Sequence, residues 1–312
     1  MTNAMKYIYT IYKTRSFSMA AELLFISQPA LSIAVRKEEE LWGSAFFDRN
    51  AHPLKLTQAG ELYIKKAEEI WHLEYELKQQ LADLSDLSTG ELYIAGTQYT
   101  NSYILPPMIN QFMKRYPGIR IKIHESSPEA NLQALQNGRV SVSFNAGTFD
   151  PQIFTQAPVF QDYILLAVPC SFAINKAYKE YALSHEQICS PEFSWNERPQ
   201  IPAECFADIP MIFLSPGTNL HQITMEICHD AGFTPNILFK VDQSTTAYNL
   251  ARAGIGAVWV SNLIITHSPA CDMVYYQIKS KKTYRNYYAL TNKKRYTNKA
   301  TTEFIRICQQ LI

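Results

Sequence analysis

Three residues in one short segment have side chains whose chemistry is easy to name. Gln28, Ser32 and Arg36 recur at intervals of four, which puts them on one face of a helix. A glutamine amide can pair with an adenine edge, and an arginine can reach guanine or a phosphate. Ile33 and Ala34 stand beside them and can touch thymine methyl groups. Ser27 is a capping residue, and Pro29 fits a first helical turn because its missing N–H has no helical partner there. The N–H groups at such a helix start suit a phosphate. Together these side chains are suited to reading double-stranded DNA.

The surrounding elements must hold that face outward. Ser18 is expected to cap a short helix over residues 19–24, with Ala20, Ala21 and Leu24 facing inward. Phe25 and Ile26 close a tight turn, and a second helix follows from Ser27 with Leu31, Val35 and Trp42 on its inner face. This is helix-turn-helix geometry, in which the second helix enters the major groove. Residues 46–49 and 54–56 can pair as a hairpin wing, which brings Arg49, His52 and Lys55 near the DNA backbone. Trp42, Phe46 and Phe47 read as core.

Thr57 caps what reads as one long helix over residues 58–87, a stretch without proline and without glycine after Gly60. Tyr63, Ile70, Leu77 and Leu84 fall seven apart, Leu73 and Leu87 take the partner positions, and Ala67 and Leu81 flank them. That is a heptad seam, so the helix is expected to pair with a second copy, although Lys66 and Gln80 interrupt the partner row. The alternative is a helix packed on its own domain.

From Thr89 onward, strands alternate with helices. Residues 92–95, 119–124 and 140–144 read as strands, separated by helices over 103–116 and 128–137. A second set follows: strands over 211–214, 236–241 and 255–260, with helices from Asn219 and Ser244. This order implies parallel sheets covered by helices, in two lobes with a cleft between them. Residues 170–209, with Pro191, Pro199 and Pro202 inside and Pro210 just after, read as an irregular insertion.

The run 16–24, then Ser27-Gln28-Pro29-Ala30-Leu31-Ser32, then Phe47-Asp48-Arg49, then Leu56-Thr57-Gln58-Ala59-Gly60, resembles the signature of LysR-type transcriptional regulators in order and spacing. The resemblance covers about sixty residues at motif level. It continues as architecture, with Leu105-Pro106-Pro107, Tyr116-Pro117-Gly118 and 253–256 resembling the two sensor lobes. Two residues depart from it. Glu38 sits where the family and the helical period want an apolar residue, and Leu41 sits where the family usually has an acid.

The resemblance implies an α/β protein with an N-terminal winged helix-turn-helix over 1–57, a linker or dimerisation helix over 58–88, and a two-lobed sensor domain over 89–312 like a periplasmic binding protein. Lobe I would take about 89–162 and 267–312, and lobe II about 163–266. It further implies a dimer of dimers on promoter DNA, a small-molecule effector and RNA polymerase as a further partner. Effector contacts are implied at Thr97, Gln98 and Thr100, in the first strand-helix turn. Ser126, Asn145, Thr148, Thr218 and Gln243 are further cleft candidates, because strand ends that face helix N-termini suit small anions. Their hydroxyls and amides fit a small organic acid.

Composition narrows the classes. Lys and Arg total 29 against 28 Asp and Glu, so net charge does not point to nucleic acid. No signal-like or membrane-length apolar run is present, which favours the cytoplasm and no membrane partner. The six cysteines form no C-x-x-C and the histidines show no ligand spacing, so no metal or cofactor is expected. Nucleophile-elbow, P-loop and dinucleotide motifs are missing, which argues against an enzyme. Two alternatives stay open: a cytoplasmic solute-binding protein, and a regulator of the same fold that senses oxidants through Cys189 and Cys205.

Overall fold

The computed structural model describes residues 2–49, 51, 53–84, 87, 89–190 and 192–310. The chain divides into two compact units, residues 1–84 and 85–312.

The first unit holds α1 (Asn3–Thr14), α2 (Phe17–Leu23), α3 (Gln28–Trp42), the two-residue strands β1 (Phe47–Asp48) and β2 (Lys55–Leu56), and α4 (Gln58–Asp83). Ser16, not Ser18, caps α2, its side chain accepting from Met19 N. The turn to α3 places Phe25 at φ 55, a left-handed conformation, and leaves its ring 94 % exposed. Gly43 closes α3 at φ 68, where a side chain would be strained. The wing pairs antiparallel, Phe47 with Leu56 and Asp48 with Lys55.

The core of this unit joins Ile8, Ile11, Ala20, Ala21, Leu31, Val35, Phe46 and Phe47 to Tyr63, Ile64 and Ala67 of α4. Phe46 and Phe47 are core as expected, but Trp42 is 60 % exposed. The start of α4 lies hard against the wing. Thr57 Oγ1 donates to Ala45 O (2.6 Å) and accepts from Gly60 N (3.0 Å). A Cβ on Gly60 would stand 2.0 Å from Phe46 O.

The second unit continues with β3 (Gly90–Gly96), a π-helical turn (Thr100–Ile104), α5 (Leu105–Arg115), β4 (Ile119–Glu125), α6 (Pro128–Gln136) and β5 (Val142–Ala146). The 16-residue strand β6 (Phe154–Pro169) leads into α7 (Ile174–Ala177), β7 (Ala182–Leu183) and α8 (His185–Cys189). Then come β8 (Pro210–Leu214), α9 (Asn219–Asp230), β9 (Asn236–Val241), α10 (Ser244–Arg252) and β10 (Ala257–Ser261). The unit ends with α11 (Asn262–His267), β11 (Met273–Tyr276), β12 (Tyr284–Asn292) and α12 (Lys299–Gln310).

The strand order β4-β3-β5-β12-β6-β10-β8-β9 runs through both lobes. In each lobe the predicted strands pair in parallel: β4-β3-β5 in one and β9-β8-β10 in the other. The expected all-parallel sheets are corrected by β6 and β12, which run antiparallel to their neighbours and to each other. β6 is the crossing strand: its first part pairs with β12 and its last six residues with β10 and β11. Met273–Tyr276 also pairs with that last part, so the return to the first lobe comes at β12 rather than near residue 267.

The insertion over 170–209 is short helical turns packed on the second lobe. Trp195 stacks on Tyr163 (4.3 Å, 14°), and Ile201 bridges to Ile278.

Candidate nucleic-acid interface and ligand cleft

On α3, Ser27 caps the helix by accepting from Ala30 N, and Pro29 follows in the first turn. Because Ser27 occupies the Ala30 N–H and Pro29 has none, Gln28 N is the first-turn donor left for a phosphate. Gln28, Arg36 and Ile33 are exposed, and Ser32 is half-buried. Gln28 Nε2 donates to Ser32 Oγ (3.2 Å), so the two side chains hold one another on the outer face.

Glu38 resolves the conflict posed by its position. Its Oε1 accepts from Trp42 Nε1 (3.0 Å) and from Tyr63 OH (2.8 Å), linking α3 to α4 with a polar contact in place of an apolar one. Burial, and then the bond to Glu38, push the Tyr63 phenol up, so it stays a donor. Leu41 is exposed. Glu39 accepts from Phe46 N (2.7 Å) and from Arg49 (3.1 Å). Arg49 also stacks over Phe17, so it is anchored on the protein and is not a free arm toward DNA. Lys55 is exposed on the wing. His52 lies outside the described residues.

The heptad reading of α4 divides in two. Tyr63 packs on Phe46 in the unit's own core, with ring centroids 4.3 Å apart, and so leaves the seam. Ile70, Leu73, Leu77, Leu81 and Leu84 are exposed, joined by Leu62. The helix ends at Asp83, with Leu84 as its C-cap.

In the second unit a cleft with about 100 Å3 of free space lies between the lobes. Of the predicted residues, Thr97, Thr100, Asn145, Thr218 and Gln243 line it. Gln98, Ser126 and Thr148 do not: Gln98 turns to Ser102 (3.2 Å), Ser126 ties its backbone to Gly96 and Asn131, and Thr148 is exposed.

Sequence reasoning missed the polar floor of the cleft. Arg285 Nε donates to Asp162 Oδ1 (2.8 Å) and its NH2 group to Asp162 Oδ2. Tyr99 OH donates to Asp162 Oδ2 (2.8 Å) and meets Ser261 Oγ at 2.5 Å. Burial of Arg285 opposes its charge, but the Asp162 carboxylate more than offsets this and holds the guanidinium protonated. Burial, then Asp162, raise the Tyr99 phenol and keep it a donor. Asp162 and Arg285 lie 123 residues apart, and no local motif marks either.

The cysteines are free. Cys189 Sγ sits 3.4 Å from His185 Nε2, yet burial raises its thiol pKa, which lowers the reactive thiolate fraction.

The helix-turn-helix, its wing and the two lobes match known proteins throughout. Residues 2–61 match the model of the bacterial regulatory helix-turn-helix proteins of the lysR family, and residues 85–180 and 181–312 match the LysR substrate binding domain. The chain belongs to the LysR family. This LysR-family chain is 28 % identical to an uncharacterized HTH-type transcriptional regulator, YcgK of Bacillus subtilis, over 83 % of its own length and 79 % of the relative's. A probable RuBisCO transcriptional regulator of Cyanidioschyzon merolae is 26 % identical, over 95 % of this chain and 92 % of that one. The fold is that of full-length CbnR in complex with its target DNA, with TM-score 0.71, 17 % identity and full coverage of both chains.

Proposed function

We propose that this LysR-family regulator reads promoter DNA with the outer face of α3. Gln28 and Ser32 contact base edges, Arg36 reaches guanine or a phosphate, Ile33 meets a thymine methyl, and Ser27, Pro29 and Lys55 set the helix start and wing against the backbone. Arg49 contributes by fixing the wing on Glu39. The observation that carries this reading is the hydrogen bond between exposed Gln28 and half-buried Ser32 on the outer face of the helix that follows a tight turn.

Two chains pair through the exposed row of α4, with Ile70, Leu73, Leu77 and Leu84 in the seam, and such dimers pair again on DNA. A small molecule binds between the lobes, against Thr97, Thr100, Asn145, Thr218 and Gln243, and changes how the protein holds or bends DNA. RNA polymerase is the further partner, the setting is the cytoplasm, and the protein regulates without turning over its ligand. Among the described residues no single helix is long and apolar enough to cross a membrane.

The test is to incubate the purified chain with fragmented genomic DNA of its host and sequence what it retains. The expected result is enrichment of a few sites with two-fold symmetry. Retention of all fragments alike, lost on a modest rise in salt, would contradict sequence reading.

A further inference from the structure

The cleft between the lobes offers a bare anion no free cation. Arg285 is the basic side chain among its described lining residues, and Asp162 already neutralises it. The remaining charged side chain on the lining is Asp242, so the formal balance of lining and floor is one negative charge.

Two amide oxygens add to this bias. Asn145, at 3 % exposure near the end of β5, gives its Nδ2 to Ser143 Oγ (2.7 Å) and leaves its Oδ1 without a partner among the described residues. Asn219, the first residue of α9 in the opposite lobe, leaves its own buried Oδ1 without a partner in the same way. Both residues line the cleft. A buried acceptor that meets no donor is costly, so a molecule that donates to these oxygens recovers what the empty site lacks.

Backbone donors stand at the start of one helix on the cleft wall. Ser127 caps α6 and Thr218 caps α9, but Gln243, the cap residue before α10, makes no side-chain cap bond. The first-turn N–H groups of this nine-residue helix are therefore open to a carboxylate. Gln243 and Ser244 are on the cleft wall.

We infer that the effector is a compact zwitterion, an amino acid small enough for the cleft, rather than a simple organic acid. The inference rests on the reading of this cleft as the effector site. The three donors of an ammonium group are matched by Asn145 Oδ1, Asn219 Oδ1 and the Asp242 carboxylate. Its carboxylate takes the open start of α10. Free space of about 100 Å3 suits a molecule of few heavy atoms.

Saturation-transfer NMR on the full chain tests this, with the standard amino acids applied singly and each compared with its 2-hydroxy acid. We expect at least one amino acid to bind, with the matching hydroxy acid weaker by about tenfold or more. Asp242→Asn, at an exposed position that leaves the core intact, should weaken the amino acid by a similar factor and strengthen the hydroxy acid. A hydroxy acid that binds as tightly as its amino acid, or an amino acid indifferent to Asp242→Asn, would overturn the charge assignment and leave the effector cleft standing. A chain that still binds DNA but takes up no member of either series at millimolar concentration would overturn the inference.

Discussion

Glu38 shows how a single residue can break a family pattern and still support the fold. An acid on the inner side of a recognition helix should be costly, yet here it satisfies an indole N–H and a half-buried phenol at once. Replacing it removes acceptors from groups that stay where they are, and a buried donor left unmade costs more than the bond contributes when formed. Glu38→Ala should therefore lower the stability of the first unit by about 1–2 kcal/mol, read as an earlier urea midpoint. Glu38→Gln, which keeps an acceptor, should recover most of it. Equal loss in both variants would show that the position needs charge, not an acceptor. In the sequence Glu38 stands out as a misfit, but its partners Trp42 and Tyr63 look apolar, because aromatic residues at helical spacing resemble core until their polar tips are placed.

At the scale of elements, the junction of wing and α4 is a close backbone contact. Gly60 lies inside a helix, where alanine would ordinarily be favoured by about 1 kcal/mol. The Phe46 carbonyl 2.0 Å from a new Cβ reverses that preference, because backbone on both sides must move. Gly60→Ala should destabilise the unit by about 1–3 kcal/mol, the range of an overpacked core, and a gain in thermal midpoint would refute the contact. Further along α4, Leu77→Asp should convert the dimer to monomer by light scattering, since it places a charge in the exposed apolar row. An intact dimer would remove α4 from the interface. The helix itself was legible from its pattern, but the seam was only partly so. Tyr63 keeps the seven-residue spacing and still turns to the wing, because periodicity records which residues share a face, not which neighbour covers it.

At the scale of the molecule, the second unit depends on β6, which crosses between the lobes, and on β12 paired along its first part. β6 carries Asp162 and β12 carries Arg285 at the crossing, and Tyr99 OH joins that pair to Ser261. Asp162→Asn leaves a buried guanidinium without its counter-charge and should cost about 3–5 kcal/mol, seen as a loss of the cooperative unfolding transition of residues 85–312. A change below about 1 kcal/mol would mean that Arg285 finds other partners, as exposed pairs commonly allow. The alternating strands and helices of both lobes could be read in advance, as could five of the eight cleft residues. The crossing strand β6, its antiparallel partner β12 and the ion pair between them could not, since buried charges far apart in sequence leave no periodic trace.

Whether α3 reads sequence through its outer face can be measured by fluorescence anisotropy. Wild type and Gln28→Ala should each be titrated onto a selected genomic site and onto a scrambled duplex, over a range of salt. Loss of one base-reading pair is worth about 1–3 kcal/mol, so Gln28→Ala should weaken the selected site by tenfold or more. It should leave the scrambled duplex and the salt slope unchanged. An equal loss on both duplexes, with a shallower salt slope, would place Gln28 on phosphate and contradict the account.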